Sequence, residues 1–169
     1  MNINDHRKII EILDLKPLEA EGGFFKEVYR SKDIIPKAAL PTFYNSDRCF
    51  GTAIYYLLTP ESFSALHKVN SDEIFHFYLG DPVEMLLLYP DGSGQEIILG
   101  QDIENGQRLQ LTVPRGVWQG AGLCPKGKFA LMGTTVSPGF EYADFILGQR
   151  QSLIETYPDH SSNIIRLTR

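Results

Sequence analysis

A chain of 169 residues with 43% hydrophobic side chains is long enough for one sizeable core and short enough for one domain, so a single domain over 1–169 is expected. Its net charge of -5, from 21 acidic and 16 basic residues without a block of like charge, offers nucleic acid and anionic membranes no electrostatic footprint and leaves small molecules as the expected partners. Two cysteines far apart, Cys49 and Cys124, support neither a disulfide framework nor a thiolate metal site and read as buried, reduced thiols.

The N-terminal stretch MNINDHRKIIEILDL carries charges throughout and no small-residue cleavage site, and no later stretch reaches the roughly 18 apolar residues of a spanning helix. A cytoplasmic protein is the expectation. Asn4 or Asp5 can cap a short amphipathic helix with Ile9, Ile12 and Leu13 on one face, placed on the outside of the body that follows. Pro17 and Gly22-Gly23 break the chain, and FFKEVYR, residues 24–30, then alternates apolar and charged positions as a half-buried strand does. Residues 31–47 have no periodicity; they form a loop long enough for a lid or an interface arm.

From Arg48 to Phe145 the punctuation is regular. The runs CFGTAIYYLL, FSALHKV, EIFHFYL, VEMLLLY, QEIILG, RLQLTV, VWQGAGL, KFALMGTTV and FEYADF are rich in β-branched or aromatic residues and are separated by turn signals such as NSD, GDP, PDGSG, PRG, PKG and SPG. Many short strands with little helical pattern between them point to an all-β sandwich or barrel. Residues 149–169 return to helical spacing, with Leu153, Ile154 and Tyr157 before Pro158 and Ile164, Ile165 and Leu167 after it.

The segment ALHKVNSDEIFHFYLG, residues 65–80, carries the most chemistry. Strand parity puts His67 and Val69 on one face, and after the NSD turn the chain is expected to return with Glu73 opening a neighbouring strand. His76 falls on the opposite face from Glu73 by the same parity and reads as a packed or interface histidine. Here the sequence resembles the first motif of the cupins, in which a His-x-His pair is followed by a glutamate and a glycine. His67, Glu73 and Gly80 match, Val69 takes the second histidine's place, and Glu61 stands where an upstream glycine would be. VPRGVWQG, residues 113–120, resembles the second cupin motif: Pro114 and Gly116 match, and Gln119 replaces its histidine. The resemblance implies a double-stranded β-helix, the cupin jelly roll, with short N- and C-terminal helices and the motif residues pointing into the barrel.

A closer resemblance is to an uncharacterised small-cupin family with an N-terminal EGG, a TAIYYLL strand, an SDEI-HFY-GDP strand and turn, a VP-GVWQGA turn and a SPGF-ADF stretch. These stand here as Glu21-Gly22-Gly23, Thr52 to Leu58, Ser71 to Pro82, Val113 to Ala121 and Ser137 to Phe145. That family is similar in fold to the nucleotide-sugar 3,5-epimerases. Their motif histidine matches His67, but their acid, a tyrosine on the strand after the Pro-x-Gly turn, has no counterpart before Tyr142; Tyr56 and Tyr78 are substitutes if the backbone turns them inward.

Three functions follow as expectations. In the first, His67 beside Glu73 is the base of a metal-independent isomerase or epimerase of a sugar-like or carbonyl compound, because a carboxylate fixes an imidazole's tautomer and stabilises the imidazolium. In the second, His67, Glu73 and Gln119 hydrogen-bond a ligand that is not turned over, with Tyr56, Phe75 and Phe77 among the lining residues. The third is a metal-dependent enzyme with a reduced ligand set; valine has no donor and an amide oxygen is a weak one, so neither metal nor other cofactor is expected. Trp118 reads as core or interface packing. Partner expectations are a small-molecule ligand and a homodimer paired through FFKEVYR, without nucleic acid or membrane.

Overall fold

A computed structural model describes residues 5–169. In chain order the elements are α1 (His6–Leu13), β1 (Lys16–Pro17), β2 (Phe24–Arg30), β3 (Ile34–Ile35), β4 (Arg48–Cys49), β5 (Thr52–Leu58), β6 (Ser64–Lys68) and β7 (Asp72–Gly80). They continue with β8 (Val83–Leu88), β9 (Gly94–Leu99), β10 (Gln110–Val113), β11 (Trp118–Leu123), β12 (Ala130–Ser137), β13 (Ile146–Leu147), α2 (Arg150–Thr156) and α3 (Ser161–Arg166). A six-stranded sheet in the order β1-β2-β5-β12-β7-β10 faces a five-stranded sheet in the order β13-β6-β11-β8-β9, and the strand neighbours within both are antiparallel. This is the jelly-roll arrangement. Among the described residues no helix is long and apolar enough to cross a membrane.

The two-residue period of the strands sorts the chain into three apolar layers. Between the sheets, Tyr56, Phe75, Phe77, Met85, Leu87, Leu99, Leu111 and Met132 pack into the main core. On the outer side of the five-stranded sheet, Leu66, Leu86 and Leu88 meet Leu153, Tyr157, Ile164 and Leu167 from the C-terminal helices, with Trp118 at the margin. Outside the other sheet, Ile9 and Leu15 cover Leu57, Phe129 and Leu131. Asp5 caps α1 by accepting from the Arg7 amide; Asn4 lies outside the described residues.

Several expectations change. Ile12 and Ile165 do not join these layers: they are 63% and 52% exposed, because each helix covers its sheet with one narrow stripe. FEYADF is not a strand. Residues Tyr142–Asp144 make one 3₁₀ turn, because Asp144 is drawn inward to Arg48 instead of out to solvent. FFKEVYR does form β2, but only Phe24 and Phe25 are half-buried; β1 covers the outer edge of those two residues alone, so Lys26 to Arg30 run along an open, exposed edge. Cys124 is half-buried, whereas Cys49 is buried. The 31–47 loop is pinned, since Tyr44 shares a hydrogen bond with Ser71 (2.9 Å) and Arg115 lies over the Phe43 ring at 3.9 Å.

The NSD turn is no hairpin. β6 belongs to the five-stranded sheet and β7 to the six-stranded one, so the turn carries the chain across the sandwich. His67 and Glu73 therefore reach the interior from opposite walls.

Candidate functional site

One end of the barrel is filled by the main core; the other holds a cavity of about 100 Å³. Its walls are the inward side chains of β5, β6, β7 and β12: Thr52 and Ile54, His67, Glu73, and Thr134 with Val136. Val69 also lines it, and Phe140, Tyr142 and Phe145 close the side formed by the turn after β12.

His67 is 2% exposed and its Nδ1 lies 2.8 Å from the Ala65 carbonyl. A carbonyl only accepts, so Nδ1 carries the hydrogen, and in the neutral ring Nε2 keeps its lone pair. Nε2 stands 3.9 Å from Glu21 Oε2, and the ring stacks on Phe145 with centroids 5.0 Å apart. This corrects the expected pairing. The tautomer is fixed by a backbone carbonyl two residues away, not by Glu73, and the nearest carboxylate to Nε2 is Glu21.

Glu21 sits in the turn between β1 and β2. Gly22 and Gly23 both have positive φ, and a Cβ at Gly22 would run into the Phe63 carbonyl oxygen, so only glycine permits this close approach. The Glu21 carbonyl accepts from the Ala65 amide (2.9 Å), and its Oε1 accepts from the Ser64 hydroxyl (2.5 Å). The turn thus lays Glu21 against β6 directly beside His67. Residue types alone missed this carboxylate; a charged side chain immediately before two glycines was the available signal.

Glu73 accepts from Gln119 Nε2 at 2.7 Å across the sandwich. Burial pushes the Glu73 carboxyl above its ordinary value; His67 opposes that shift, Glu21 adds to it, and hydrogen bonds from Thr134 and Gln119 oppose it. Gln119 pairs in register with His67 and does not line the cavity; it supports Glu73 from behind. Its Oε1 is wholly shut off from the surface and has no hydrogen-bond partner.

Tyr56, Phe75 and Phe77 were expected to line the pocket, but they pack in the core below it. The Tyr56 hydroxyl donates to the Gly22 carbonyl (2.9 Å), and burial pushes that phenol well above its ordinary value. Tyr78 faces outward, 43% exposed, because it shares parity with His76. His76 lies on that outer face, where Gln110 Nε2 donates to its Nδ1 (2.9 Å) and its Nε2 donates to Thr135 (3.0 Å). Tyr142 does line the cavity, at its mouth.

The family described as Cupin superfamily (DUF985) matches residues 7–148. The chain belongs to this cupin family. An uncharacterised protein of Saccharomyces cerevisiae is 36% identical over 140 residues, covering 76% of this chain and 69% of the yeast protein. Among solved cupin-like folds, a hypothetical protein from Leishmania major superposes with a TM-score of 0.85 at 31% identity, over 96% of this chain and 97% of that one. A protein from Shewanella oneidensis gives 0.82 at 32% identity, covering 96% of each chain. Oxalate decarboxylase from Bacillus subtilis shares the fold alone, with a TM-score of 0.51 at 13% identity, over 87% of this chain and 35% of that one.

A metal centre does not fit this cupin's donor set. Val69 points into the cavity without a lone pair, and Gln119 directs its amide N–H at Glu73. Among the described residues, no three His, Cys, Asp or Glu side chains are grouped to hold a metal ion.

Proposed function

We propose that this cupin isomerises or epimerises a small carbonyl-bearing, sugar-like compound without a metal, with His67 as the base. The observation that supports this is the His67 ring itself: Nδ1 is tied to the Ala65 carbonyl, and Nε2 faces the cavity with no hydrogen-bond partner. A lone pair held there takes a proton from the carbon beside the carbonyl, and the electron pair of the C–H bond moves to the carbonyl oxygen as an enolate. Glu21 and Glu73 stabilise the imidazolium that results. The Tyr142 phenol, at the mouth of the same cavity, protonates the enolate oxygen. His67 then returns its proton to the former carbonyl carbon while the Tyr142 phenolate takes the proton of the neighbouring hydroxyl, which becomes the new carbonyl and gives the isomer. If the enediol turns over in the cavity, His67 returns the proton to the other face of the original carbon and the phenolate takes back the enol proton, which gives the epimer.

The test is exchange of carbon-bound hydrogen for deuterium. Aldoses, ketoses and simple hydroxyketones incubated with the protein in D₂O are followed by proton NMR; one or more should lose a C–H signal next to the carbonyl, and His67→Gln should abolish the loss. A panel in which compounds bind and none exchanges would sink the catalytic reading. The second reading, a cupin that holds its ligand without turnover, is favoured by the exposure of Tyr142, which at 63% is an open site for a proton donor.

A further inference from the structure

We propose that the cavity selects a small organic cation, an amine-bearing ligand, over neutral and anionic molecules of the same size. This rests on reading the cavity as the ligand site and places an amino group on the carbonyl-bearing compound proposed to be turned over there.

The walls present acceptors and almost no free donors. Glu21 and Glu73 enter from two elements, and His67 Nε2 has no hydrogen-bond partner. Arg30 is the one Lys or Arg side chain among the lining residues, and its charge is already matched. Its Nε and Nη2 donate to Glu27 at 3.0 and 2.9 Å, Nη2 also to the Phe140 carbonyl at 3.2 Å, and Nη1 to Glu141 at 2.8 Å, with Cys49 Sγ 3.8 Å away. Four of the five Arg30 N–H groups are taken by oxygen acceptors and the fifth points at the Cys49 sulfur, which leaves little for a ligand carboxylate or phosphate.

An ammonium has three donors and no acceptor, the complement of this lining. It supplies a positive charge beside the buried Glu73 carboxylate and the partly buried Glu21, in surroundings where an unpaired buried charge is costly. Phe25, Phe140, Tyr142 and Phe145 add aromatic rings to the same lining. An anion meets like charge from both carboxylates, and a neutral hydroxyl makes the hydrogen bonds without the charge.

Ethanolamine, ethylene glycol and glycolate share a two-carbon frame and differ at one end. Each is titrated at pH 7 into the full chain, with the His67 Hε1 and Gln119 side-chain amide resonances followed by NMR. Ethanolamine should give saturable shifts with a Kd at least about tenfold below that of ethylene glycol, a difference of about 1.4 kcal/mol, and glycolate should give none. Glu21→Gln should bring ethanolamine to the level of ethylene glycol; Glu73→Gln, which retains an amide partner for Gln119, is the second variant and should do the same. Equal or tighter binding of glycolate or ethylene glycol overturns the proposal, as does absence of saturation by ethanolamine or a preference for it that survives both substitutions. Cation binding without C–H exchange removes only the isomerase reading; exchange without cation preference removes only this one.

Discussion

Replacing Asp144 with alanine leaves the Arg48 guanidinium inside the protein without its counter-charge. The two side chains are 0% and 3% exposed, joined by Nη2 to Oδ1 at 2.6 Å and Nε to Oδ2 at 2.9 Å. Arg48 Nη1 keeps the carbonyls of Ser46 and Asp47 and the Ser46 hydroxyl, so hydrogen bonds survive while the charge loses its partner. Removal of one member of such a buried pair costs about 3–5 kcal/mol, a large part of the ~5–15 kcal/mol that holds a domain folded. Urea unfolding should therefore show a much lower midpoint at an unchanged slope. The double replacement Arg48→Met with Asp144→Leu should recover to within about 1 kcal/mol of the parent, since the apolar pair has no charge to desolvate. The loss also reaches the site: Asp144 precedes Phe145, whose ring lies 5.0 Å from that of His67, so the His67 Hε1 resonance should move in the single variant. A cost below about 1 kcal/mol for Asp144→Ala would refute the view that this pair anchors the cavity's outer wall.

Glu73 makes a pH prediction of definite sign. Its folded value is raised above the ordinary 4.5, so the folded protein holds that proton more tightly and this group's contribution to stability falls as pH rises upward from 4.5. Glu73→Gln should be more stable than the parent at pH 8 and lose that advantage near pH 4, as read by thermal unfolding at both values; an advantage independent of pH contradicts the linkage. Val69→His combined with Gln119→His should create a metal site with His67 and Glu73, because Val69 already lines the cavity and Gln119 already reaches Glu73. Elemental analysis should find about one equivalent of a divalent metal in the double variant and little in the parent; a full equivalent in the parent would count against the metal-independent function. The open edge of β2, with Val28 and Tyr29 49% and 56% exposed, is expected to add to the same edge of a second copy. Sedimentation should give a dimer that Val28→Lys weakens, and a monomer at micromolar concentration would argue against it.

An all-β sandwich or barrel was legible in the chain because strand periodicity is local, and the jelly roll followed from the resemblance to the cupin motifs: alternation in EIFHFYL names the buried face wherever the strand ends up. The same parity correctly sent His76 outward and Val69 inward. Pairing is not local. Nothing in the order His67, NSD, Glu73 says that the turn crosses between sheets, and that crossing places the imidazole and the carboxylate on opposite walls. Glu21 comes from another part of the chain, carried to His67 by a glycine turn whose shape is set by what it packs on, the Phe63 and Ala65 backbone. Tyr56, Phe75 and Phe77 have the right parity for a pocket, yet tertiary packing fills that end of the barrel and leaves the other end open. Which inward residues are core and which are site depends on how large side chains from both sheets divide one interior volume, and that division exists only once the sheets have met.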